Sequence, residues 1–126
     1  MDDSIRTALG HSHVIDITTT GRRTGEPRRI EIFFHNLDGR LVISGMPMPG
    51  RTRAWIHNLE ADPAMTMHFK GPFATADVPA TARVVTDPVE RRLLLEGVAR
   101  NWNRTDVDAM VEHSPLIEVT VEGYPG

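Results

Sequence analysis

Apolar and polar residues alternate along most of the chain, and this pattern predicts short β-strands. Residues His13–Thr19 show it clearly: Ile15, Ile17 and Thr19 occupy one face and Val14, Asp16 and Thr18 the other, with many β-branched side chains. The same two-residue period predicts further strands at Arg28–His35, Leu41–Ser44, Met65–Phe69, Thr75–Thr86 and Leu116–Glu122. Pro79 interrupts the fifth of these six segments, which predicts a sheet edge or a bulge there.

Other stretches have the spacing of helices. They are Asp3–Leu9, Arg53–Glu60, a segment from Asp87 to about Asn101, and Thr105–His113. The third has the strongest start, because Asp87 is suited to cap the helix, Pro88 to fill its first turn and Glu90 to complete a capping box. Its expected buried residues are Leu93, Leu94, Val98 and Ala99.

The order of these elements predicts an α+β fold. Successive strands are joined by short turns, such as Asn36–Gly39, and short connections favour antiparallel pairing. Six short antiparallel strands can close or nearly close into a barrel, although their number alone does not decide this. A chain of 126 residues suggests one domain spanning residues 1–126.

Composition and charge remove several classes of function. The chain has no cysteine, which excludes a disulfide scaffold and a thiolate metal site and agrees with a cytoplasmic location. Its net charge of -3 argues against a nucleic-acid partner, although cations gather around residues 22–29 and 51–53. No apolar run approaches the roughly 20 residues of a membrane span. The polar, acidic start of the chain is unlike a secretory signal.

The arginine loop, residues 20–27, is the densest group of candidate functional side chains. It contains Arg22, Arg23 and two glycines, and Arg28 and Arg29 follow directly. Guanidinium groups suit phosphate and carboxylate oxygens, and glycine lets the backbone approach a ligand closely. The loop is therefore either an anion-binding site or a solvated basic turn. In a regular strand Arg29 points away from Arg28, so Arg28 is the stronger candidate of the two.

Two segments together resemble a known family. The sequence VIDITTTGRRTGEPRR at residues 14–29, followed by Trp55, Asn58 and Pro63 in a W-x-x-N-L-x-A-x-P pattern, is similar to the deazaflavin-dependent nitroreductase family. That resemblance implies a six-stranded, mostly antiparallel split β-barrel with short flanking helices. It also implies a relation to flavin reductases that share this fold.

The resemblance also implies a cofactor site for coenzyme F-420, a deazaflavin with a phosphate and a polyglutamate tail. Matching positions in the family hold the anionic part of the cofactor, surround its ring, or pack near it. The implied residues are Arg22, Arg23, Thr24 and Arg28 for the anions, Ser44, Gly45 and Met46 at the ring, and Trp55 and Asn58 on a helix. Met46 stands where relatives often carry lysine, so Arg51 and Arg53 are expected to supply the charge. The alternative is structural: Trp55 as a core anchor and Asn58 as a capping residue.

Three functions remain open from the sequence. The first is an oxidoreductase that passes hydride from the reduced deazaflavin to an electron-poor small molecule, such as a quinone or a nitroaromatic compound, with a proton from solvent or from a hydroxyl such as that of Ser44. The second is a reductase of the same fold that binds flavin mononucleotide (FMN). The third is a non-catalytic protein that binds a cofactor, haem or a fatty acid. A homodimer is possible. The six histidines lack a metal-binding spacing, so no metal site is expected.

Overall fold

A computed structural model describes residues 1–50 and 53–125. Within them the chain forms ten elements: α1 (Asp3–Leu9), β1 (His13–Thr20), β2 (Pro27–Leu37), β3 (Arg40–Ser44), α2 (Ala54–Ala61), β4 (Ala64–Lys70), β5 (Thr75–Val84), α3 (Pro88–Trp102), α4 (Val107–His113) and β6 (Leu116–Thr120). The described residues have no helix that is long and apolar enough to cross a membrane.

The six strands form a closed barrel in the order β1-β2-β3-β6-β5-β4, and every neighbouring pair is antiparallel. Closure leaves no open sheet edge around the circuit. The α+β, six-stranded split-barrel fold class is therefore confirmed.

Along each strand, alternate side chains point into the barrel and fill its interior. In β1 the buried residues are Ile15, Ile17 and Thr19, and the residues between them are more exposed. The turn between β2 and β3 is the two-residue step Asp38-Gly39, since Leu37 pairs with Arg40. Both turn residues have positive φ, 52° and 94°, which is the conformation that twisted two-residue hairpins require.

Pro79 lies within β5, opposite Thr66 of β4. Pairing of β5 with β6 begins only at Thr81, so Pro79 is paired on one side alone. The proline is tolerated here because a residue without an amide N–H fits where no second strand needs a donor, although β5 as a whole is not an edge strand.

The prediction is wrong for one core residue of α3. Leu93 is 62% exposed, whereas Leu95, which was not expected in the core, is fully buried. The two side chains lie about 200° apart around a helix. Leu94, Leu95 and Val98 form the buried stripe of α3, which packs with Val42 of β3 in a second core outside the barrel.

Arg91 connects α3 to the segment that precedes β6. Its guanidinium donates hydrogen bonds to the carbonyl oxygens of Val85, Val111 and Ser114 at 3.0, 2.9 and 2.7 Å, and to that of Met110 at 3.4 Å. Burial lowers the pKa of this guanidinium. The contact satisfies carbonyls at the end of α4, where the last main-chain oxygens of a helix generally lack partners. The carbonyl of Met110 also accepts from Ser114 N–H at 2.9 Å.

Candidate functional site

A cleft of about 980 Å³ lies beside β2, between the arginine loop and the end of α3. Its lining residues are Gly21, Arg22, Arg23, Thr24, Arg28, Ile30, Glu31, Ile32, Phe33, Ser44, Gly45, Met46, Met48, Arg53, Ala54, Trp55, Asn58 and Trp102. The ten site residues predicted from the sequence that fall within the described part of the chain all line this cleft. The eleventh, Arg51, lies outside the described residues.

The arginine loop is closed by its own backbone. Gly21 N–H donates to the carbonyl of Glu26 at 2.8 Å, and Gly25 N–H donates to the carbonyl of Gly21 at 2.8 Å. Gly25 has a φ of 72°, a conformation that side chains disfavour. Thr24 Oγ1 accepts a hydrogen bond from Glu26 N–H at 3.2 Å. These contacts fix the loop while its arginine side chains remain exposed.

Arg22, Arg23 and Arg28 make no salt bridge within residues 1–50 and 53–125. The neighbouring Arg29 differs, because its Nε lies 2.9 Å from Asp16 Oδ2 on another face of the strand. Like charges held close together without counterions favour the arrival of an anion. Arg28 thus lines the cleft, whereas Arg29 is paired with Asp16 outside it.

Asn58 links α2 to the end of β1 and to the start of the arginine loop. Its Nδ2 donates to Thr19 Oγ1 at 3.1 Å, and its Oδ1 accepts from the backbone N–H of Arg22 at 3.1 Å. Asn58 and Thr19 are both buried. The side chain thus positions the arginine loop.

Trp55 precedes Asn58 by one helical turn. It is 8% exposed and belongs to the main core, yet it also contributes to the cleft wall. The structural reading of Trp55 as a core anchor is thus confirmed, and it is compatible with contact to a ligand.

The segment after β3 is held by Arg53. Its Nη2 donates to the carbonyl of Met46 at 2.7 Å. A Cβ atom added at Gly45 would stand 2.7 Å from Arg53 Nη1, so a larger residue there would require this guanidinium to shift. Ser44 is fully buried and its hydroxyl donates to the carbonyl of Pro115 at 2.7 Å. A hydroxyl committed to that carbonyl is poorly placed to deliver a proton to a ligand.

The far end of the cleft is aromatic. Phe33 of β2 and Trp102 at the end of α3 meet edge to face, with ring centroids 5.4 Å apart. Behind both lies His35, whose ring is 4.7 Å from Phe33 and 5.0 Å from Trp102. His35 is fully buried, and this burial lowers its pKa to about 4.

The model of the F-420H(2)-dependent quinone reductase family matches residues 3–123. The chain belongs to this family. Comparison with curated protein sequences gave no match.

Solved structures support the same fold. An F-420 reductase is 18% identical with a TM-score of 0.68, covering 94% of this chain and 93% of its own. A conserved hypothetical protein from Mycobacterium tuberculosis is 17% identical with a TM-score of 0.70, covering 97% and 81%. A third structure, described as a domain-swapped dimer, is 16% identical with a TM-score of 0.63, covering 85% and 79%. At these identities the likeness concerns the fold alone.

Family membership makes this chain an oxidoreductase of the quinone reductase type. The non-catalytic alternative is thereby set aside. Phe33 and Trp102 were not among the site residues predicted from the sequence, although both line the cleft. No local motif marks them. The one available signal in the sequence was Phe33 itself, an apolar residue on the opposite face of the strand from Phe34.

The histidines do not cluster for metal binding. Within the described ranges, no group of three or more histidine, aspartate or glutamate side chains is arranged to hold a metal ion. His68 instead bridges Thr18 Oγ1 and Asp77 Oδ1, each at 2.7 Å, across three neighbouring strands.

Proposed function

We propose that this protein binds coenzyme F-420 in the cleft and reduces a quinone or a similar electron-poor small molecule. The observation that carries the proposal is the group Arg22, Arg23 and Arg28: exposed, close in sequence, lining the cleft and without a salt bridge within residues 1–50 and 53–125. Family membership supports the choice of cofactor.

The donor set fits the chemistry of this cofactor. Planar guanidinium groups bind phosphate and carboxylate oxygens with paired hydrogen bonds, and F-420 offers a phosphate followed by several carboxylates. Three cations around the single phosphate of FMN leave some of them unmatched. The proposed anion-binding residues are therefore Arg22, Arg23, Thr24 and Arg28, with Asn58 holding the loop in place.

The remaining predicted residues are proposed to surround the ring. When bound, the reduced deazaflavin supplies hydride to the acceptor. Gly45 and Met46 line the cleft with backbone and thioether, Arg53 fixes their position, and Trp55 offers an apolar surface. These residues position the ring and exclude water from it. Because the hydroxyl of Ser44 is engaged, solvent is the better source for the acceptor's proton.

Adjacent arginines provide a matched test of the anion site. Arg28→Gln and Arg29→Gln remove the same charge one residue apart, but only Arg28 lines the cleft. Calorimetric titration with F-420 should show affinity about 10- to 100-fold weaker for Arg28→Gln, the range for a lost hydrogen bond to a charged group. Arg29→Gln should bind like the unaltered chain. Equal losses in both variants would show that only net charge matters, and no loss in either would refute the site.

The choice between cofactors is tested by salt and by the tail. Exposed charges are screened over about 8–10 Å at physiological ionic strength, so affinity for F-420 should fall as salt rises. Removing the glutamate tail should weaken binding at low salt and flatten this dependence. Tighter binding of FMN than of F-420 at low salt would replace the deazaflavin with FMN.

A homodimer and a cytoplasmic location remain proposals. One structure of similar fold is described as a domain-swapped dimer, which gives the first of them some support. Sedimentation equilibrium across a concentration series decides the assembly state, and fractionation of the source cells decides the location.

A further inference from the structure

Met46 lies in the wall of the cleft, and two arginines hold it from opposite ends. Arg53 Nη2 donates to its carbonyl oxygen at 2.7 Å, which fixes the backbone. Arg104 Nη1 donates to its sulfur, Sδ, at 3.2 Å, which fixes the end of the side chain. The guanidinium of Arg104 is itself held by Asp106, because its Nε donates to Oδ1 at 2.8 Å and its Nη2 donates to Oδ2. The sulfur of Met46 therefore has a defined orientation, although the residue is 50% exposed.

The six methionines of the chain differ in their access to solvent. Met1 and Met48 are 48% and 40% exposed, close to the value for Met46. The buried ones are Met65, Met67 and Met110. An accessible thioether is open to oxidation to the sulfoxide, so accessibility alone predicts similar oxidation at the three exposed sites. The contact with Arg104 adds a stereochemical constraint at Met46.

This constraint concerns the two faces of the sulfur atom. A thioether sulfur has two lone pairs, and addition of oxygen to one or the other gives the two epimers of methionine sulfoxide. An N–H group that donates to Sδ from 3.2 Å occupies the direction of one lone pair. An oxidant must therefore approach the other lone pair, so oxygen is added to one face of the sulfur.

We propose that Met46 is a modification site, which a peroxide converts into a single epimer of methionine sulfoxide, and that Arg104 selects the epimer. In this step a sulfur lone pair attacks one peroxide oxygen, an S–O bond forms and the O–O bond breaks. Sulfur loses two electrons and the peroxide gains them. The departing oxygen takes up the proton released by the attacked oxygen and leaves as water. Methionine sulfoxide reductases, one enzyme for each epimer, reverse the change with a dithiol as reductant.

Oxidation of Met46 changes the cleft at the place where the proposed function puts the cofactor ring. The unmodified side chain offers this place an apolar, polarizable thioether. The sulfoxide is polar and chiral, so its contact with a flat ring is weaker. This consequence rests on the proposed function, whereas the modification itself does not.

Oxidation of the folded chain with a limited amount of hydrogen peroxide tests the modification without any cofactor. After proteolysis, the peptide that contains Met46 is treated with one or the other epimer-specific reductase and analysed by mass spectrometry. One reductase should remove nearly all of the sulfoxide and the other almost none. In Arg104→Leu, and in the unaltered chain oxidised in urea, each reductase should remove about half, because both faces of the sulfur are then open.

Calorimetric titration with F-420 tests the consequence for the cleft. Oxidation should weaken the affinity of the unaltered chain about 2- to 10-fold, the range for a lost contact between a thioether and a ring. Met46→Leu is the matched control, since leucine keeps an apolar side chain that peroxide does not oxidise, while Met1 and Met48 remain. Its affinity should be the same before and after treatment. Reduction of the oxidised unaltered chain by the matching reductase should restore its affinity.

The modification is refuted by equal amounts of both epimers from the folded chain, or by a Met46 that stays reduced while Met1 and Met48 are oxidised. An equal loss of affinity in oxidised Met46→Leu, or no loss in the unaltered chain, refutes the consequence for the cleft. If F-420 binds neither protein, the proposed function and this consequence fail together, and the epimer ratio still decides the modification. Should Arg104→Leu not fold, the chain oxidised in urea supplies the comparison.

Discussion

Burial of His35 predicts that this protein loses stability on mild acidification. The ring is fully buried against Phe33 and Trp102, and only Asn101 donates to it among the described residues. Because Asn101 donates to Nδ1, the ring's hydrogen lies on Nε2, which has no partner in the described part of the chain. A proton added to Nδ1 would have to displace the Asn101 contact inside an apolar layer. The lowered pKa follows from the burial itself, which keeps water away from the charged imidazolium.

The sign and size of the effect follow from linkage. The pKa of His35 is about 4 in the folded chain, against the ordinary value of 6.5. The unfolded chain therefore binds the proton first as pH falls, and the stability contributed by neutral His35 is intact above 6.5 and lost progressively towards 4. Between pH 8 and pH 5 the loss amounts to about 2 kcal/mol in the free energy of unfolding.

Urea unfolding at pH 8, 7, 6 and 5 measures this loss, and His35→Gln supplies the comparison. Glutamine does not titrate, so the variant should lack about 2 kcal/mol of the pH dependence even if it is less stable at every pH. His13, whose pKa is also lowered by burial, keeps its own contribution in both proteins and cancels in the difference. Identical pH profiles for the two proteins would refute the reasoning. Nitrogen NMR of the His35 ring, neutral down to about pH 5, is an independent check.

Two further substitutions test how the site is held. Asn58→Ala should lower the free energy of unfolding by about 1–3 kcal/mol, because it leaves the buried hydroxyl of Thr19 without its donor, and it should weaken F-420 binding by releasing the backbone of Arg22. Urea unfolding and calorimetry on the same variant separate the loss of stability from the loss of affinity, and an unchanged stability would contradict the role given to the Thr19 contact. Arg91→Met should cost about 3 kcal/mol of stability because it leaves carbonyls such as those of Val111 and Ser114 without this donor, and F-420 affinity per folded molecule should be unchanged. A shift in affinity larger than threefold would show that the site depends on α4.

The arginine end of the cleft was predictable because its parts are local. Arg22, Arg23, Thr24 and Arg28 lie within seven consecutive residues, and a turn between two strands brings them to one edge of the sheet whatever the rest of the fold does. Predicting Trp55 and Asn58 also required the family pattern, which places their helix near this turn.

The aromatic end was not predictable in the same way. Phe33 and Trp102 are far apart in sequence and meet only because α3 packs outside the barrel against β2. The alternation of residues along β2 identifies the two faces of the strand, but it does not show that the outer face is covered by a helix. Leu93 shows the same limit on α3: the apolar residues 93–95 permit more than one buried stripe, and the tertiary contacts with Val42 select the stripe of Leu95.

Asn58 shows why a structural and a functional role are not exclusive alternatives here. Asn58 is buried, and both its amide oxygen and its amide nitrogen have partners within the protein, which by itself favours the structural role. Yet one of its partners is the backbone N–H of Arg22, the residue that begins the group of unpaired arginines. Rigidity at that point reduces the entropy lost when a flexible anionic tail is bound. Helix α2 therefore contributes to the core and also fixes the geometry of the anion site, and these two roles both constrain its sequence.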